Sequence, residues 1–258
     1  MLTVRFFGTI LPRGMELSIL NIPELDWEDE PLGLKMHFIF HIVTSLVEVE
    51  CQVNRYLPDD VPHLHMRALD LARACVDVWA FAKGVFPTVY LETFFPPKGD
   101  PQILVPQNPV VAGLCSSYKF DNNTSAENTN LDKVIRLLIS DPALFMPLNE
   151  LSMANTLPHL APANCGRVLD GLRKLVVPGF DPKKAWPIFQ ASLNADEKYL
   201  EFISDLSANP RHGDRSHIPA APVMEAMKRT WVIMDRFIEY RKKGNQPLPL
   251  ANFPLLKG

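Results

Sequence analysis

The residue pattern predicts an α+β protein: an N-terminal antiparallel sheet with one long packed helix, then a C-terminal all-α helical bundle. Three observations carry that reading. In the first hundred residues two segments, "LKMHFIFHIV" and "LVEVECQVNRY", alternate in period two, that of a strand with one dry and one wet face. Beyond residue 130 apolar positions recur at three- and four-residue steps, the period of a helix. Between the two regimes lies "SYKFDNNTSAENTN", a polar stretch with no large aliphatic residue. Domains are therefore expected at 1–116 and 131–258, joined by a polar linker at 117–130.

In the first part, "TVRFFGTI" and "MELSILNI" flank the turn residues "PRG" and suggest a hairpin. In "LKMHFIFHIV", Leu34, Met36, Phe38, Phe40 and Ile42 share one face, and Lys35, His37, Ile39, His41 and Val43 the other. In "LVEVECQVNRY", Val47, Val49, Cys51 and Val53 alternate with Glu48, Glu50, Gln52 and Asn54. One apolar and one solvated face is the habit of an antiparallel sheet. The period then lengthens: Leu64, Ala68, Leu71, Cys75, Val78 and Ala82, with Leu69, Ala72 and Trp79 alongside, form an apolar helical face, with Asp60 at its cap, Pro62 in the first turn and Gly84 as its stop. "PTVYLETFF" reads as a returning strand, and "FPPKGDPQILVPQNP" closes the unit.

The second part reads as helices throughout. Asn130 caps "LDKVIRLLIS", and a proline-broken segment covers "PALFMPLNELSMAN". A helix spans about 164–177, and Asp181 with Pro182 opens "KKAWPIFQASL". Asn194 with Glu197 three residues on resembles a capping box for a helix ending near Ala208. The last helix starts near Pro222 and carries Val223, Met227, Trp231, Met234 and Ile238 on one face, with Gly244 as its stop. The tail "NQPLPLANFPLLKG" is apolar enough to pack on its own domain or to dock into a partner subunit.

With 258 residues, 47% of them hydrophobic and 21% charged, the chain can bury a normal core, which excludes a disordered protein. A net charge of −3 excludes a global positive field, so nucleic-acid contact would use a local patch. Cys51, Cys75, Cys115 and Cys165 lie too far apart for a C-x-x-C framework and read as buried thiols. No run approaches the roughly 18 apolar residues of a membrane span. The expected location is cytoplasmic, without membrane attachment.

Walker, G-x-G-x-x-G, G-x-S-x-G and H-E-x-x-H patterns are absent, which removes the common nucleotide, dinucleotide, hydrolase and zincin readings. His37 and His41 would lie about 13 Å apart along a strand. With His63 and His65 they read as sheet-face and cap residues, so neither a metal nor a cofactor is expected. The five carboxylates of "PELDWEDEP" read as a solvated loop. "NPRHGDRSHIP" is different in kind. Arg211 and Arg215 could hold phosphate through paired hydrogen bonds, and His212 or His217 could move a proton. Asn209, Pro210 and Gly213 equally suit a plain turn, with Asp205 and Asp214 at hand as ion-pair partners.

The segment 130–244, with "NCGRVLDGLRKLV", "ASLNADEKYLEFISDLSANPRHGD" and "RTWVIMDRFIEYRKKG", resembles a HEPN (higher eukaryotes and prokaryotes nucleotide-binding) domain. The chain is also similar to bacterial proteins with a β-rich front half and an R-H-G motif near the C-terminus. HEPN ribonucleases carry R-x(4–6)-H at the start of their last main helix, work without metal, and bring two motifs together in a dimer. The resemblance thus implies RNA or nucleotide as ligand and a homodimer formed through the helical domain. Arg211 to His217 satisfies the spacing, with Arg211 on the phosphate, His212 or His217 on the proton and Arg215 assisting. A second register aligns His212-Gly213 with the family's histidine-glycine pair. It puts Asp205, Leu206 and Ser207 where the arginine belongs, and implies a non-cleaving binding or sensor module.

Overall fold

The computed structural model describes residues 1–104, 111, 114, 129–179, 181–213 and 218–258, without the side chains of Pro31, residues 129–134, Pro142, Pro158 and Pro182. The chain divides into two compact units, Met1–Pro106 and Gln107–Gly258. The expected linker at 117–130 lies outside the described residues except for Thr129 and Asn130, which begin a helix.

The first unit is an antiparallel sheet of six strands, with β1 (Leu2–Leu11), β2 (Leu25–Asp29), β3 (Leu34–Val43), β4 (Leu46–Val53), β5 (Thr88–Phe95) and β6 (Gln102–Ile103) in the order β2-β3-β4-β1-β5-β6. Its dry face carries Phe6, Phe38, Ile42, Val49, Cys51 and Phe94, all fully buried. Helix α1 (Val61–Lys83) packs there through Leu64, Ala68, Ala72 and Val76. The alternation of "LKMHFIFHIV" and "LVEVECQVNRY" predicted these faces correctly.

Four local expectations fail in this unit. "MELSILNI" is no strand, because both edges of β1 are taken by β4 and β5, which are apolar on the matching face. Leu17 and Ile19 instead pin the β3–β4 turn: Ser45 N–H donates to the Leu17 carbonyl and Ile19 N–H to the Ile42 carbonyl. That turn is the true hairpin, with Thr44 and Ser45 both at positive φ, the sense of a two-residue loop that matches strand twist. The acidic run "PELDWEDEP" is no loop either, since Leu25–Asp29 forms edge strand β2, and Trp27 lies 3.9 Å under the Arg67 guanidinium. On α1, Val78 and Ala82 face solvent while Val76 and Ala80 join the expected Leu64, Ala68 and Ala72 in the core. A row of every fourth residue runs obliquely along a helix, so a 23-residue helix crossing a twisted sheet drifts off a straight stripe. Asp60 ends up buried, but its carboxylate accepts from Leu57 N–H and Arg55 rather than from the helix.

The second unit comprises α2 (Thr129–Ser140), α3 (Pro142–Thr156), α4 (Ala161–Val176), α5 (Pro182–Leu193), α6 (Glu197–Arg211) and α7 (Ala220–Lys242), with α4 packed against α3, α5, α6 and α7. Pro147 does not break α3: Gly171 on α4 leaves room for its ring, and a Cβ there would come within 3.0 Å of Pro147 Cγ. Asp181 caps α5 as expected. The capping box does not form. Asp196, one residue from Glu197, accepts the Tyr199 N–H and caps α6, which frees Asn194 to end α5 at φ 51°. Asn194 Nδ2 instead donates to the carbonyls of Leu248 and Phe253. Buried Arg236 donates to the carbonyls of Leu193, Asn194 and Pro254. The apolar tail is therefore folded back on its own unit.

Gly8 sits where the β1–β5 register shifts, and a Cβ there would lie 1.7 Å from the Tyr90 carbonyl oxygen. Gly8→Ala is expected to cost about 3 kcal/mol, since the backbone itself must move. Urea unfolding with unit 1 signals such as Trp27 and Trp79 measures it, and a midpoint equal to wild type would contradict the packing described.

Candidate functional site

Helix α6 runs further than its turn-forming residues suggest. Asn209 and Pro210 belong to its last turn, and Arg211 is its final residue. Pro210 is tolerated there because a proline near a helix end removes only one backbone donor. His212 then caps the helix, its N–H donating to the Ala208 and Asn209 carbonyls, and Gly213 follows at φ 93°. Ending the helix at Arg211 turns its side chain back over the preceding turn, toward α4.

Gly166 sets how close that approach is. A Cβ on Gly166 would lie 2.3 Å from Ser207 Oγ and 3.1 Å from Arg211 Nε. One turn along α4, Asp170 takes the Arg211 guanidinium in an ion pair between Nη1 and Oδ2. Its other oxygen, Oδ1, is 3.5 Å from Arg173 Nη2. Arg173 is buried at 7% exposure, with its guanidinium 5.1 Å from the Trp186 ring centroid on α5. Its Nε has no hydrogen-bond partner. Asp170 and Arg211 are partly open to solvent, at 40% and 27% of their side chains.

Of the four residues the sequence singled out, the structure places Arg211 and His212 side by side at the end of α6, His212 exposed. Arg215 and His217 lie outside the described residues, as does Asp214. The described ion-pair partner of Arg211 is Asp170, from a helix some forty positions earlier, rather than Asp205. Sequence reasoning missed Gly166, Asp170 and Arg173. The signal was present in "NCGRVLDGLRKLV": the three stand at i, i+4 and i+7, on one stripe of the helix. The exposed carbonyls at the end of α6 carry partial negative charge, which suits Arg211 and opposes an anion held by that residue alone.

The other candidates do not assemble. His65 packs 5.8 Å from Phe6 on the dry side of the sheet, and burial pushes its pKa down. His37 is on the wet side with His41, so the four histidines do not converge. Among the described residues, no group of three or more histidine, cysteine or acidic side chains could hold a metal ion. Burial pushes the Cys51 thiol up to about 12 and Cys165 up to about 11, which suits packing residues and not nucleophiles. An open cleft of about 440 Å³ lies in the first unit, lined by residues including Tyr56, Pro62, Pro96 and Lys98. It holds none of the predicted residues. No helix among the described residues is long and apolar enough to cross a membrane.

Residues 4–105 match the "Domain of unknown function (DUF8168) N-terminal domain", and residues 131–242 match the corresponding C-terminal domain. The chain belongs to the DUF8168 family. The two DUF8168 domains coincide with the sheet unit and the helical unit, and the C-terminal one contains Gly166, Asp170, Arg173 and Arg211. No curated protein and no solved structure matches the chain.

Two measurements probe this geometry. Gly166→Ala is expected to push α6 away from α4 and cost about 2 kcal/mol, because Ser207 is fully buried and cannot swing aside. Thermal unfolding read at the helical band reports it, and an unchanged midpoint would refute the close contact. The second concerns His37, whose Nδ1 is 2.8 Å from Asp26 and Nε2 3.0 Å from Glu24. The Asp26 hydrogen bond, with Glu24 adding, holds its pKa above the usual 6.5. A raised folded-state value means the contribution is fully present below about pH 6.5 and fades as pH rises through the folded pKa. The stability gap between wild type and His37→Gln should therefore be wider near about pH 5.5 than near about pH 8.5. A gap that does not change with pH contradicts it.

Proposed function

We propose that this DUF8168 chain is a non-catalytic, HEPN-like binding module that takes a nucleotide or RNA at the end of α6. The observation that carries the reading is the ion pair between Arg211 and Asp170. A guanidinium that stabilises a pentavalent phosphate must present free N–H groups to the reacting oxygens. Here Arg211 already has a carboxylate partner, while remaining open enough to solvent to meet a ligand's backbone. The local concentration of Arg173, Arg211 and His212 supports phosphate binding in a chain whose net charge is otherwise unfavourable to it. The helical bundle and the R-H-G sequence at its turn are consistent with the HEPN resemblance. A metal-independent ribonuclease is the competing reading, favoured by the spacing from Arg211 to His217.

Fluorescence anisotropy with a labelled mixed-sequence RNA at low salt tests it. Wild type is expected to bind at micromolar concentrations, with Arg211→Ala weakening binding at least about tenfold, since charged hydrogen bonds to phosphate are of that size. The same RNA incubated with EDTA should stay intact. Chelator-resistant cleavage that Arg211→Ala removes would replace the binding reading with the nuclease one. No binding by wild type to RNA or to nucleotides would end both.

A further inference from the structure

We propose that Arg173 and Arg211 form a single two-armed oxyanion site, that the Asp170 carboxylate is its resident occupant, and that a phosphate group of the ligand takes Asp170's place. This deepens the phosphate-binding reading above and rests on it. The geometry is that of a bridged anion: one carboxylate oxygen faces each guanidinium, Oδ2 on Arg211 and Oδ1 on Arg173. A phosphate presents oxygens with a similar bite, and arginine's fork matches both groups.

The state of Arg173 points the same way. Buried arginines are kept when their donors are satisfied, because an unpaired buried donor forfeits its hydration without return. Arg236 in the same unit meets that condition, giving its N–H groups to three backbone carbonyls. Arg173 does not. Its Nε is buried without a partner, its contact with Asp170 is 3.5 Å, and its guanidinium lies 5.1 Å from the Trp186 ring centroid. Two fixed cations also share one carboxylate, and that leaves charge for an oxyanion to neutralise. Neither arginine suffices alone: Arg211 stands at the negative end of α6, while Arg173 is buried, with Asp170 Oδ1 3.5 Å away. Since Asp170 competes for both, the free chain is expected to bind phosphate weakly, and removing that one charge should strengthen binding.

The probe is inorganic pyrophosphate, titrated calorimetrically into the full chain at low salt. Asp170→Asn keeps the side chain's shape and removes its charge, and is expected to bind pyrophosphate at least about tenfold more tightly than wild type. Adding either Arg173→Lys or Arg211→Lys to Asp170→Asn should abolish most of that gain, because lysine keeps the charge without the fork. Pyrophosphate binding by Asp170→Asn no tighter than wild type overturns the proposal. So does a gain that survives Arg173→Lys. If Asp170→Asn does not fold, wild type decides the matter through arginine Nε–H resonances: that of Arg173 should shift on titration with excess pyrophosphate, and an unmoved signal overturns the site. The RNA arm separates the two readings. A pyrophosphate gain without any RNA binding keeps the site and removes the nucleic-acid ligand. RNA binding indifferent to Asp170→Asn keeps that ligand and removes this site.

Discussion

The close approach of α4 to its neighbours is the constraint on which the helical unit rests. From Ala161 to Gly166 every residue of α4 is buried, and all of them are small apart from Asn164. Small side chains let backbones come near, so one helix can contact α3, α5, α6 and α7 at once. Gly166 admits Ser207 and the root of Arg211, and Gly171 admits the ring of Pro147. Each is a place where the missing Cβ of one helix is filled by an atom of another. The charged stripe of Asp170 and Arg173 follows along the same helix, so the packing that assembles the bundle also delivers Arg211 to its partner.

Two buried arginines in this unit show what satisfaction does to a cation. Arg236 is a structural clamp: it closes the end of α5 and the returning tail through neutral carbonyls, and burial lowers its pKa. Asn194 reinforces the clamp from the other side. Arg173 is equally buried but leans on an aromatic face and a distant carboxylate. The first arrangement is complete by itself, whereas the second leaves a buried Nε donor without a partner. That contrast, inside one bundle, separates a residue that holds the fold from one that can hold something else.

How much of this was legible in the sequence differed from element to element. The faces of β3 and β4, the stop at Gly84, the cap at Asp181 and the long final helix followed from period and local chemistry. The hairpin of "MELSILNI" failed because strand pairing is non-local: β1 pairs with partners about forty and eighty-five residues away. The acidic run was read by charge when its alternation of Leu25 and Trp27 with Asp26 and Glu28 was the better signal. Pro147 and Pro210 were read as breakers, yet both sit inside helices. At the candidate site, Arg211 and His212 stood out by type, but Asp170 and Arg173 did not, because a carboxylate and a guanidinium on a helix are usually a solvated face.

The sequence by itself determined the two-part α+β plan, the wet and dry faces of the sheet, most helix ends and the positions of the phosphate-friendly residues. These follow from periodicity and from side chains that act on their own backbone within a few residues. Tertiary structure alone decided which strands flank β1, where the C-terminal tail goes, and that Arg211 meets Asp170 beside a buried Arg173. Those outcomes depend on how closely distant segments can approach, which is set by missing side chains such as those of Gly8, Gly166 and Gly171 and by the partners that burial then forces on each polar group.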